Sequence, residues 1–125
     1  MKNSPEHQVI LEAKSWLRKV EFFIQENALL KYRLSEIVDQ NENATTITLA
    51  EYFQNEMLLI DGRANYLKRT ISLFSKKVEE ESQTYMPDHY EKKQLRIRDN
   101  MMNFEKKFLN LSNEFNARIA NAADC

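Results

Sequence analysis

Residues 53–78 read FQNEMLLIDGRANYLKRTISLFSKKV. Within that stretch Phe53, Met57, Ile60, Ala64, Leu67, Ile71, Phe74 and Val78 alternate steps of four and three without a slip. This spacing keeps one stripe of side chains on one side of a helix, where it can pack against other helices. The same rhythm occurs twice more. Val9, Ala13, Trp16, Val20, Phe23, Asn27, Leu30, Leu34 and Ile37 carry it before this stretch, and Tyr90, Gln94, Ile97, Met101, Phe104, Phe108, Leu111 and Phe115 carry it after. Three such ladders predict an all-α fold, an antiparallel up-down-up bundle of three long, coiled-coil-like helices.

The helix ends can be read from local chemistry. Ser4, Pro5 and Glu6 suit a first cap, first turn and dipole partner, and the pattern then runs over 5–38. Residues 39–46 are polar and aperiodic and read as a loop. Thr48 and Glu51 form a capping box, with Ile47 and Tyr52 at the staple positions, and open a helix over 48–82. Its last turns hold Glu79, Glu80 and Glu81, the wrong sign for that end, so fraying or basic neighbours from another helix are expected there. Pro87 and Asp88 open the third helix, over 88–120, with a loose tail from Asn121 to Cys125. Rods of about 50 Å joined by short loops must alternate in direction. The runner-up topology is a helical hairpin whose third helix completes a bundle only in a dimer.

Composition narrows the function classes. A chain of 125 residues is one domain by length. One Gly and two Pro are too few for a sheet protein, and 42% hydrophobic residues are too many for a disordered one. The net charge is −1 and the pI about 6.1, and no helical segment carries a strong field. Nucleic-acid binding draws its affinity from a basic surface, so no nucleic-acid partner is expected. Two basic clusters, Lys68-Arg69 with Lys76-Lys77 and Lys92-Lys93 with Arg96 and Arg98, have acids close by and read as solvated, salt-bridged faces. No apolar run is long enough for a membrane span and no signal peptide is visible, so no membrane partner is expected and the cytoplasm is the default location. Cys125 cannot form an internal disulfide alone.

No cofactor is expected. Bundle di-iron sites need Glu-x-x-His, but the residue three before His89 is Met86 and three before His7 is Ser4. A single Gly excludes phosphate-binding glycine loops. His7 and His89 fall at the same end of an up-down-up bundle and, with Asp88 or Glu6, offer material for a metal. Two solvated histidines near helix termini are the preferred reading. Trp16 lies on the first ladder and reads as core.

Apolar residues beyond the ladders are more informative. Ile10, Leu17 and Ile24 form a column seven apart, continued by Val38 past Lys31, and Phe22 and Leu29 lie on another side of the same helix. Leu58, Leu59 and Leu73 add to the second helix, and Leu95, Met102 and Leu109 form a column on the third. They either widen the core stripe or form a second apolar face. On the second reading Ile10, Leu17, Ile24, Leu58, Leu59, Leu95, Met102 and Leu109 are the candidate interface of a homodimer. Asn27 and Gln94 interrupt their ladders and are expected at the half-solvated rim. Gly62 is expected to admit a close neighbour or a kink.

The run from Trp16 to Glu26 (WLRKVEFFIQE), followed by Leu30, Arg33, Leu34, Glu36 and Ile37, and the run Glu51 to Asn55 (EYFQN) together resemble a group of small uncharacterised bacterial helical proteins. These have an early Trp, an aromatic- and acid-rich first helix and Phe-Gln-Asn in the second. The resemblance covers the first half of the chain and implies a helical fold, but brings no activity and no site residues. Two functions are thus carried forward. One is a non-enzymatic interaction or scaffolding module that self-associates or holds a protein partner. The other is a small-ligand or metal-binding bundle.

Overall fold

Each ladder folds into one long α-helix because its apolar stripe keeps to one face over about eight or nine turns. The structure is a computed structural model that describes residues 5–41, 43–81 and 88–124, and the side chains of 7–41, 43–81 and 90–119. Helix α1 spans Pro5–Gln40, α2 Ala44–Glu81 and α3 Asp88–Asp124. No strand occurs among the described residues. The caps read at Ser4 and Asp88, the residues Pro87 and Cys125, and the side chain of His89 lie outside what is described.

Cross-helix contacts set the directions. Asn27 and Lys31 of α1 meet Asp61 of α2, whereas Glu21 meets Lys68, so α1 and α2 run antiparallel. Glu12 meets Arg98 and Arg33 meets Asn116, so α1 and α3 run parallel. Tyr52 reaches Glu114 while Phe74 stacks near Tyr90, so α2 and α3 are antiparallel. The molecule is the up-down-up bundle that the ladders predict. Helices α1 and α2 pack most closely, and α1 and α3 least.

The core is the three ladders. All of the α2 ladder is buried, extended by Ala50 and Thr46, and α3 gains Ile119. Aromatic rings form its thick layers. Trp16, Phe74 and Tyr90 fill one end, Phe23 meets Phe104 and Phe108 in the middle, and Phe53 meets Phe115 at the other end. Their edge-to-face and tilted contacts suit the ring quadrupole.

The helix ends differ from the sequence reading. Helix α2 starts at Ala44, four residues before the expected Thr48. Asn43 is its cap: Oδ1 accepts the Thr46 N–H at 2.9 Å, and the Ile47 N–H donates to the Asn43 carbonyl at 3.1 Å. Asn is among the strongest caps, and the extra turn buries Thr46, which with Ala50 continues the ladder backward. Helix α1 runs on to Gln40 and closes on Asn41, whose amide donates to the Ile37 carbonyl at 2.9 Å and whose N–H donates to the Val38 carbonyl at 3.3 Å. These bonds satisfy carbonyls that a helix end leaves open. The loop read over 39–46 thereby shortens, since residues 39–40 belong to α1 and residues 44–46 to α2. Helix α3 continues through Asp124, so the expected loose tail is helical up to that residue. The acidic end of α2 is helical through Glu81, where Tyr90 of α3 donates its hydroxyl to Glu81.

Two residues overturn their expected roles. Asn27 is fully buried rather than at the rim. Its Nδ2 donates to the Met57 carbonyl and to Asp61 Oδ1, each at 2.9 Å, while its Oδ1 is buried without a partner. Gln94 does sit half-buried, donating to Glu12 at 2.6 Å. Gly62 admits no neighbour: a Cβ built there would meet nothing within 4 Å.

Replacing Asn27 by Leu removes the stranded oxygen, a burden of about 1–3 kcal/mol, at the loss of two bonds worth about 1 kcal/mol each. Asn27→Leu is expected to leave stability equal or higher by about 1 kcal/mol in urea unfolding; a clear loss would mean that the amide bonds dominate. Gly62→Ala is expected to raise stability by about 1 kcal/mol, seen as a higher thermal midpoint, since it gains helix propensity and meets no atom.

Candidate interaction surface

Polar side chains that meet between helices hold the bundle in register. Asp61 is the hub of the α1–α2 seam. One carboxylate oxygen accepts from Asn27 and the other pairs with Lys31, one turn along α1. Beside it lies a cleft of about 300 Å³ lined in part by Lys31, Val38, Gln54 and Leu58, at the small end of ligand-sized cavities.

Glu12 is the hub of the α1–α3 seam. Arg98 grips it as a fork, Nε to Oε2 at 2.8 Å and Nη2 to Oε1 at 2.9 Å, and Gln94 adds a third bond. Burial by itself pushes the Glu12 carboxyl up, but the bonds from Arg98 and Gln94 and the Arg98 charge outweigh it, so its pKa lies below the ordinary value. At the α2–α3 seam, Tyr52 donates to Glu114 at 2.9 Å and Arg118 lies over the Tyr52 ring. Tyr90 is buried, and that burial together with its bond to Glu81 and the charges of Glu81 and Glu80 pushes its hydroxyl up to about 12. It therefore stays a donor at ordinary pH. Among the described residues no group of three or more His, Cys, Asp or Glu is placed to hold a metal ion, and no helix is long and apolar enough to cross a membrane.

The expected interface residues divide between core and surface. Ile10, Leu17 and Ile24 are half-buried and pack against the core, as does Val38. They flank the α1–α2 seam, where Lys31 fills the gap in their column. Leu95, Met102 and Leu109 are exposed, Met102 by 67%. Leu95 and Met102 lie three before and four after Arg98, so this column borders the α1–α3 seam. The two columns therefore border different seams and do not form one surface. Leu58 and Leu59 are both exposed, but Leu58 lines the cleft beside α1 and Leu59 lines a groove with Lys107 and Glu114 of α3.

Two outward apolar surfaces result. Phe22 and Leu29 of α1 are exposed, one turn before Glu26 and Arg33 on the side that meets α3, across from Leu95, Met102 and Leu109. The other surface runs along α2, where Tyr52, Leu59, Tyr66 and Leu73 repeat every seven residues and all are exposed. The sequence reading did not join these four, although their seven-residue spacing was the available signal.

Because the folded Glu12 carboxyl titrates below the unfolded one, its stabilisation is complete above the unfolded value of about 4.3 and is lost as pH falls through the folded value. Glu12→Gln is expected to reduce the acid sensitivity of unfolding below that pH, measured as the pH slope of the urea midpoint. An unchanged slope would show that the fork is not formed in solution.

Compared with known protein families, curated proteins and solved structures, the chain matches none.

Proposed function

We propose that this protein is a non-enzymatic interaction module that self-associates through its outer helical faces, working as a homodimer in the cytoplasm and offering its remaining surface to a protein partner. The observation that carries this reading is the pair of outward apolar surfaces, one along α2 and one beside the α1–α3 seam. Single exposed apolar residues are ordinary on any protein, but aligned columns of Leu, Met and aromatic side chains are the composition of contact surfaces. The polar groups support the same reading. Asp61, Asn27, Glu12 and Arg98 spend their bonding capacity between helices, where it fixes structure. The alternative, a bundle that holds a small ligand, would have to use surface clefts such as the one beside Lys31, since the ladder positions are filled by packed side chains.

Sedimentation equilibrium from tens to hundreds of micromolar tests the reading. The expected result is a weight-average mass that rises above one chain toward two. A mass that stays at one chain across the range removes self-association.

A further inference from the structure

We propose that the outer face of α2 is the self-association surface, and that its occupant is the same face of a second copy, crossing antiparallel at Gly62. This rests on the self-association reading and specifies where and how the copies meet.

Gly62 is the starting observation. It stands near the middle of a 38-residue helix, exposed, in a place where glycine weakens the helix by about 1 kcal/mol relative to Ala. Nothing inside the chain requires it, since a side chain there would meet open space. Its surroundings are apolar. Leu58 and Leu59 lie four and three residues before it and Tyr66 four after, which places all three beside it on the helix surface, and all are more than half exposed. Leu58 and Leu59 belong to different grooves of the bundle, but a helix resting on Gly62 touches both. The distance between packed helices depends on the side chains at the contact, and a glycine at the crossing allows the closest approach.

Charge supplies the occupant and its direction. Between Ala44 and Asp61 the helix carries Glu51, Glu56 and Asp61 and no base. Between Gly62 and Val78 it carries Arg63, Lys68, Arg69, Lys76 and Lys77 and no acid. The change of sign falls at Gly62. Asp61 and Lys68 turn toward α1, where they pair with Lys31 and Glu21, and Glu56, Arg63 and Lys77 line grooves shared with α3. The outward charges that remain are Glu51 before Gly62 and Arg69 and Lys76 after it, and a second α2 crossing antiparallel at Gly62 lays Glu51 of each copy between Arg69 and Lys76 of the other. A parallel crossing would lay like on like. The same pairing answers the acidic end of α2. Glu80, eighteen residues after Gly62 and next in the column after Leu73, falls opposite Ala44 of the second copy, where the positive end of that helix lies. A strip from Tyr52 to Leu73 is about 32 Å long and about 10 Å wide, less than the ~800 Å² per partner of a standard interface, so the dimer is expected to dissociate in the micromolar range.

Sedimentation equilibrium on four variants of the full chain tests this. Gly62→Gln adds bulk at an exposed helix position without disturbing the fold, and is expected to weaken the dimer at least about tenfold. A Glu51→Lys variant has a basic outer face throughout, and an Arg69→Glu/Lys76→Glu variant an acidic one. Each alone is expected to be monomeric, and a mixture of the two is expected to dimerise. Met102→Glu, on the other apolar surface, is expected to leave the dimer intact. A wild-type dimer that survives Gly62→Gln, or that is dissociated by Met102→Glu instead, overturns the α2 face while leaving self-association standing. Charge variants that each still dimerise overturn the antiparallel pairing. A wild-type chain that is monomeric at several hundred micromolar overturns this proposal and the self-association reading together.

Discussion

The bundle depends on keeping three long apolar stripes out of water along their whole length. Each helix runs for 36 to 38 residues and contributes a line of side chains from the a and d positions of its heptads. No stripe can be buried alone, and two helices leave one side of the seam open. Burial of a large apolar side chain is worth about 1.5–3 kcal/mol, and the ladders hold most of the Phe and Val of the chain and half of its Ile. That term drives collapse, but it leaves one choice undecided. A heptad stripe slipped by seven residues still presents apolar to apolar, so hydrophobic burial specifies register only through the shapes of particular layers.

Polar contacts and aromatic layers resolve that choice. Asn27 and Lys31 converge on Asp61, and Gln94 and Arg98 converge on Glu12. A slip of one heptad would strand a buried amide and separate both carboxylates from their partners. The buried amide oxygen of Asn27 has no partner even in the correct register. A polar residue at one core position trades stability for a unique alignment. The seams also differ in closeness: α1 and α2 pack most closely, while α1 and α3 meet through exposed charge pairs with apolar shoulders.

A three-helix bundle is thin, and this thinness carries its functional consequence. Apolar residues next to the stripe on the α1–α2 side, such as Ile10, Leu17 and Ile24, are drawn partly into the core. Those further round, such as Met102, Leu59 and Tyr66, are beyond its reach and face outward. The interior is closed by rings and aliphatic chains, so the chemistry available to other molecules lies on the outside.

The sequence by itself determined the fold class, the number of helices and almost the whole core, because a stripe repeated every three and four residues keeps to one face of a helix and must be packed against others. It also determined the composition of the outer face, including the sign change at Gly62, since charge needs no coordinates. Tertiary structure alone decided the rest. Asn27 looked like a rim residue until Met57 and Asp61 of another helix supplied its partners. Thr48 looked like a cap until burial of Thr46 and the cap at Asn43 extended α2 backward. Adjacent Leu58 and Leu59 looked like one patch until the positions of α1 and α3 sent them into separate grooves. In each case the deciding neighbour lay on another helix, tens of residues away in sequence, and periodicity within one helix carries no information about which neighbour that is.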